Sequence, residues 1–222
     1  NACENAMTHP LRTALLLALA ALTCSPMALA KGKTMQEVLD ASTAADWRSP
    51  DPSTLLVMDI PGGRVLIELA TYFGTEHSAN IQTLASEGYW NGLSINRSDD
   101  NFVVQWGDPA EEPKDAKPLG SAKAKLPAEF ARNGFDKTRF HAVKDREGWS
   151  KKAGFVDGFP AATDNKQTWM AHCYGAVGAG RGNEADSSNG TELYVVTGQS
   201  PRQLDRNITV VGRVLQGMEF LS

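Results

Sequence analysis

The run Leu55-Leu56-Val57-Met58-Asp59-Ile60, Pro61-Gly62-Gly63, Arg64-Val65-Leu66-Ile67-Glu68-Leu69 constrains the fold more than any other part of the chain. Two β-rich segments flank a three-residue turn containing glycine, a pattern that predicts an antiparallel hairpin. Further short strands are expected at 94–96, 102–106, 194–197 and 209–214. A helix is expected at 77–87, with Ile81, Leu84 and Ala85 on its apolar face and Gly88 at its stop. Many short strands with few helices indicate a mainly β protein, a barrel or a sandwich.

Both ends of the chain read differently from this middle. Residues 1–6 precede Met7 and read as upstream sequence that takes no part in the fold. Residues 7–30 have the form of a secretory signal peptide: Arg12 gives a short positive region, 14–22 is an uncharged apolar run, and Ala28-Leu29-Ala30 supplies the small-x-small cleavage pattern. The competing reading is a buried helix or an uncleaved anchor, but the apolar run falls short of the roughly 20 residues that span a bilayer. The expected location is therefore periplasmic or secreted, with no stable membrane insertion after cleavage. Residues 31–53 read as an N-terminal helix over 31–46, with Met35, Val38 and Leu39 on one face, followed by a linker containing Pro50 and Pro52. Residues 215–222 read as the start of a helix without a cap, as if the chain were cut short.

Of three cysteines, only Cys173 lies after residue 30, so no intramolecular disulfide is expected in the processed chain and folding rests on a packed core. Cys173 itself reads as a small buried hydrophobe. The net charge of −4 comes from interspersed acids and bases, and the absence of a basic stripe argues against a nucleic-acid partner. Residues 109–167 change in texture. The first part, 109–126, is rich in Lys, Ala, acids and Pro and reads as exposed loop. The remainder, with Trp149, Phe155 and Phe159, is too long for a structureless loop and is expected to carry a small hairpin or helix of its own.

The stretch with most chemical content is Ile95-Asn96-Arg97-Ser98-Asp99-Asp100-Asn101-Phe102-Val103-Val104-Gln105-Trp106-Gly107-Asp108. Arg97 supplies a rigid fork of donors, Phe102 an apolar face, and Gln105 both a donor and an acceptor. Such a set suits gripping an amide better than cleaving one. Asp99 and Asp100, beside Asn101, read as turn formers rather than a hydrolytic pair. His172 next to Cys173 lacks further ligands at zinc spacing, and Gly175, Gly178, Gly180 and Gly182 lack the spacing and the Lys-Ser pair of a phosphate loop; they read as a flexible loop. No metal or cofactor is called for.

The order and spacing of about eight pieces across 54–222 resemble the cyclophilin family of peptidyl-prolyl cis-trans isomerases. They run through Gly63-Arg64-Val65, Ser78-Ala79-Asn80-Ile81, Gly88-Tyr89-Trp90-Asn91-Gly92, the Arg97–Asp108 stretch, Met170-Ala171, Asn189-Gly190-Thr191-Glu192-Leu193-Tyr194, Leu204-Asp205-Arg206-Asn207 and Val211-Gly212-Arg213-Val214. The long segment around 109–167 interrupts the match. The resemblance implies a closed eight-stranded antiparallel barrel capped by helices, with a peptide groove on its outer surface and a C-terminal strand missing from this chain. It also implies catalytic roles for Arg97, Phe102 and Gln105, and substrate contacts from Val103, Ala171, His172, Tyr194, Gln203 and Leu204. Val103 stands where a larger apolar residue is usual, His172 where asparagine is common, and Tyr194 where a phenylalanine lines the pocket. Gln203 stands where some members have tryptophan, and Ile208 where many have histidine.

The implied reaction is rotation about X-Pro bonds in exported proteins, which assists folding; the partners are proline-containing peptides or unfolded segments. The barrier of about 20 kcal/mol reflects lost amide resonance. A donor aimed at the prolyl nitrogen, which regains its lone pair in the twisted state, stabilises the transition state above either ground state. A permanently charged arginine suits that task, and no tuned acid or base is needed. The alternative is a non-catalytic cyclophilin-like peptide-binding module or chaperone. A hydrolase would lack a nucleophile–base pair.

Overall fold

The computed structural model describes residues 32–108, 110 and 114–222; the signal-peptide reading lies outside them. The described residues fall into two compact units, one running up to residue 48 and one beginning at residue 49. In the first, the only α-helix among the described residues is α1, Met35–Asp40, shorter than the 31–46 expected. Thr34 and Glu37 form a reciprocal capping box that fixes its start. Met35, Val38 and Leu39 are exposed.

The second unit is built on an antiparallel sheet. Strands β1 (Leu55–Ile60) and β2 (Gly63–Leu69) form the expected hairpin, although Ile60 pairs with Gly63, so that the connection is two residues and not three. Helix α2, Thr75–Ser86, follows. Its N-cap, Gly74, has no side chain to offer. Glu129 does that work from a distance, accepting the main-chain N–H groups of Glu76 and His77, each at 3.0 Å, and facing His77 Nδ1 at 2.8 Å. Burial opposes the charge of Glu129, but these donors hold its carboxyl below its ordinary pKa.

The remaining strands of this sheet are β3 (Ser94–Ser98), β4 (Val103–Gly107), β10 (Ala176–Ala179), β11 (Leu193–Val196) and β12 (Val210–Gln216). Their order is β1-β2-β12-β10-β11-β4-β3. The sheet curls into a half-barrel and is open between β1 and β3, which differs from the closed barrel expected. A cleft of about 450 Å³ lies there, lined by both edges and by Trp90 and Trp106. Strand β10 was not foreseen. Its Ala-Val-Gly-Ala sequence has weak strand propensity, yet all four residues are buried between β11 and β12. The glycines around it therefore belong partly to a strand and not to a flexible loop. At the other end, β12 runs to Gln216 and gives way to a single 3-10 turn, Met218–Phe220, where a longer helix was expected.

Residues alternate between two cores. Val65, Ile67, Val104, Trp106, Leu193, Val195 and Val211 pack on one face of the sheet with Ile81 of α2. Val103, Tyr194, Val196 and Val210 point to the other. Strand β11 is apolar throughout because both its faces are covered.

The cover on the second face is the long middle segment. It forms a five-stranded antiparallel sheet, more than the single hairpin or helix expected: β5 (Arg132–Asn133), β6 (Phe140–Ala142), β7 (Lys152–Val156), β8 (Phe159–Thr163) and β9 (Gln167–Met170), in the order β5-β9-β8-β7-β6. Phe140, Val156, Phe159, Ala161 and Met170 pack on Val103, Tyr194 and Val196. Full burial of each large apolar side chain contributes about 1.5–3 kcal/mol. Arg213 pins the two sheets: it donates to the Gly158 carbonyl at 2.6 Å, pairs with Glu68 at 3.3 Å, and lies over the Phe159 ring. Arg132 and Arg139 both stack on Tyr72, just after β2.

Candidate active site

The groove residues are set out by strand register. Residues paired across antiparallel strands share a face. Arg97 pairs with Gln105, Gln105 with Tyr194, and Tyr194 with Gly178. These four residues form one row across β3, β4, β11 and β10. Arg97 joins the row because β3 shifts register between Ile95 and Arg97. Ile95 pairs with Trp106, a core residue, so an unbroken ladder would set Arg97 against Val104 and turn it to the core face. The irregularity at Asn96 turns it outward, a common use of a bulge.

Arg97 is half-exposed, and its guanidinium lies over the Phe102 ring, 5.2 Å from the centroid. Asp99 holds it from one side, with Oδ2 at 2.7 Å from Nε and 2.6 Å from Nη2. Nη1 is outside this clamp. An exposed pair of this kind contributes only about 0.2–1 kcal/mol to stability, but it sets the direction of the fork. The hairpin tip that carries Asp99 and Phe102 is docked elsewhere. Thr197 N–H donates to the Phe102 carbonyl at 3.0 Å, and Gln199 N–H donates to Asn101 Oδ1 at 3.0 Å. Asn101 occupies the left-handed region at φ 53°, a conformation asparagine tolerates.

Gln105 donates through Nε2 to Glu192 Oε2 at 2.7 Å. Because a carboxylate only accepts, the amide orientation is fixed and Oε1 is the end turned away from Glu192. Burial, reinforced by the charge of Asp108, raises the Glu192 pKa above its ordinary value; the Gln105 bond offsets part of this.

Tyr194 is buried. Its hydroxyl lies 2.8 Å from His172 Nε2. His172 Nδ1 and main-chain N–H both meet Asp205 Oδ1 at 2.9 Å. With Nδ1 facing a carboxylate, the neutral ring carries its proton there, and Nε2 accepts from the tyrosine. Burial and the charge of Asp205 push the Tyr194 pKa far up, so its hydroxyl remains a donor at neutral pH. Burial works against the charge of Asp205, but His172 and Arg202 hold its carboxyl below the ordinary range.

Of the expected site residues, Arg97, Gln105 and Tyr194 share the row, while Phe102 and Val103 share an apolar cluster with Tyr194. Ala171 and His172 sit elsewhere than the motif implies. They follow β9 in the second sheet and are fully buried, so neither presents a surface to a substrate. The strand that does lie beside β11 is β10. Gln203 and Leu204 lie on a 3-10 turn, Ser200–Leu204; Gln203 is exposed and Leu204 half-buried, and neither belongs to the apolar cluster around Tyr194. Ile208 does pack against that cluster. Sequence reasoning also missed Asp99, Glu192 and Asp205 as partners of site residues. Glu192 was within reach, since it sits two residues before Tyr194 at the entry to β11, where extended chain returns to the same face. Cys173 is partly buried, which raises its thiol pKa.

Known proteins resemble this chain in sequence and in fold. The family model for cyclophilin type peptidyl-prolyl cis-trans isomerases matches residues 55–222. A Brucella suis protein named "Probable peptidyl-prolyl cis-trans isomerase" is 24% identical over 176 residues, which cover 76% of this chain and 70% of that protein. A peptidyl-prolyl cis-trans isomerase of Schizosaccharomyces pombe is 45% identical over 47 residues, 21% of this chain and 30% of that one. The crystal structure of cyclophilin AquaCyp293 from Hirschia baltica superposes with a TM-score of 0.66 at 26% identity, covering 86% of this chain and 73% of that one. The chain belongs to the cyclophilin-type peptidyl-prolyl cis-trans isomerase family.

Proposed function

We propose that this isomerase rotates X-Pro bonds of exported, incompletely folded proteins, with Arg97 as the electrostatic element. The observation that carries the reading is the row Arg97–Gln105–Tyr194, with Phe102 beneath the guanidinium and Val103 beside it. In this reading the proline ring sits against Phe102, with Val103 and Tyr194, both buried, packed beneath as its backing. Arg97, clamped through Nε and Nη2, presents its remaining N–H groups to the prolyl nitrogen as the amide twists. That donation strengthens as the lone pair forms, which is the condition for lowering a barrier. Gln105, fixed by Glu192, offers Oε1 as an acceptor and keeps the side of the groove next to Arg97 polar. Export is supported by the apolar run at 14–22 and the pattern Ala28-Leu29-Ala30.

We also propose that an eighth strand closes the half-barrel. The edges of β1 and β3 face the same apolar cleft, where Val57 and Ile95 are exposed. Unpaired edges of this kind accept a further strand.

The test of function is a protease-coupled proline-isomerisation assay run beside binding of the same proline peptide. Acceleration together with binding is expected. Binding without acceleration would instead assign a peptide-binding module.

A further inference from the structure

The rotation step makes no use of a buried hydrogen-bonded chain that runs from the Tyr194 hydroxyl through His172 to Asp205. It has a direction. Tyr194 belongs to the groove row, yet its hydroxyl points away from the groove, across Gly178, into the second sheet. Any Cβ at position 178 would collide with the tyrosine ring, so this glycine is what lets the ring lie flat on β10. His172, at the end of β9, receives the hydroxyl. Asp205 then locks His172: one oxygen takes its main-chain N–H and Nδ1, and the other takes Trp169 Nε1 at 3.2 Å and Arg202 Nε at 3.0 Å. Arg202 Nη2 lies 3.0 Å from Glu147 of the middle segment.

We propose that His172 is a positioning residue for the groove, and that through it the inserted five-stranded sheet sets how tightly proline is held. The inference rests on the isomerase reading of the groove. Packing alone holds the Tyr194 ring on its sides, and position 178 offers no Cβ against its far end. With its hydroxyl held by an imidazole that Asp205 fixes at Nδ1, the Tyr194 ring has one position, and the apolar seat has one floor. Buried hydrogen bonds such as Tyr194–His172 and His172–Asp205 give this kind of rigidity. The same carboxylate ties in a neighbouring turn: Asp205 directly follows the 3-10 turn Ser200–Leu204, whose approach is stapled to the Phe102 hairpin by Asn101. Insert, turn and floor therefore converge on one histidine. Loss of that link loosens the seat while leaving Arg97 and Gln105 in place, so the effect belongs in KM and not in kcat.

The test compares Tyr194→Phe, His172→Ala, the double variant and His172→Gln, using kcat, KM and direct binding of an Ala-Pro-containing peptide. Each single variant should raise KM and the peptide Kd about 3- to 10-fold, with kcat changing less than twofold. The double variant should be no worse than the poorer single one, because both remove the same bond. His172→Gln, which retains an acceptor, should recover at least half of the loss. Unchanged KM in Tyr194→Phe, or single effects that multiply in the double variant, would overturn the proposal. So would a fall in kcat alone. The anchor is read separately from activity. In NMR spectra the Tyr194 hydroxyl proton should exchange slowly with water in the wild type and fast in His172→Ala. Slow exchange in the wild type without isomerase activity or peptide binding would overturn the function and leave the anchor standing. Equal exchange rates would overturn the anchor whatever the activity.

Discussion

The two walls of the groove are built on opposite principles. The Arg97 wall is half-exposed, carried on a hairpin and held by an ion pair that water can reach. The Tyr194 wall is buried, carried on the central part of the sheet and held by a network with His172 at 0% exposure. The first wall supplies charge and can adjust to a twisting amide. The second supplies shape and cannot move without breaking buried hydrogen bonds. Changes on the Arg97 side should therefore alter rate with little effect on stability, and changes on the Tyr194 side should alter stability and affinity first.

The largest stability effect is expected at Asp205, the hub of the rigid wall. Asp205→Ala removes the partner of the buried Arg202 and of His172 and should cost about 3–5 kcal/mol, measured by urea unfolding. The wild-type contribution of Asp205 also has a pH signature. Its folded pKa lies below the ordinary 3.8, so the stabilisation is present above that value and is lost as pH falls through the depressed folded value. Asp205→Asn should therefore lose much of its difference from wild type at the acid end. Next in size, Gly178→Ala forces a methyl group against the Tyr194 ring and should cost about 1–3 kcal/mol.

Effects on the exposed wall should be smaller in stability. Glu192 has a raised pKa, so relative to a neutral amide it stabilises the fold below pH 4.5, and this is lost as pH rises through its folded value. Glu192→Gln should then be at least as stable as wild type at pH 7, with the two unfolding midpoints converging towards pH 4. A variant clearly less stable at pH 7 would show that the carboxylate has a role beyond orienting Gln105. Asp99→Ala should shift stability by no more than about 1 kcal/mol, while turnover drops about 2- to 5-fold because the Arg97 fork loses its orientation.

The contrast also explains what could be read from the sequence. The Arg97 wall is local: Arg97, Phe102 and Gln105 lie within nine residues of one another, and their types name their chemistry. The first hairpin and α2 were legible for the same reason, since turn residues and apolar spacing act over a few positions. The Tyr194 wall depends on long-range pairing. Asp205 meets His172 across 33 residues, and no local signal marks that contact. Strand β10 was hidden by its small residues, of which Gly178 is required by the ring that lies over it and not by strand propensity. His172 sat beside a plausible motif, Met170-Ala171, and only the pairing of β9 within the second sheet shows that it approaches the groove from behind.

The central claim is that Arg97 carries the rate. It is tested most directly by the kcat/KM of a folded Arg97→Ala variant in the protease-coupled assay, with its circular dichroism and melting temperature matched to wild type. The predicted result is a loss of at least about tenfold, more than 1.4 kcal/mol of transition-state stabilisation, with proline-peptide binding retained. A folded Arg97→Ala protein that turns over at the wild-type rate would contradict the account.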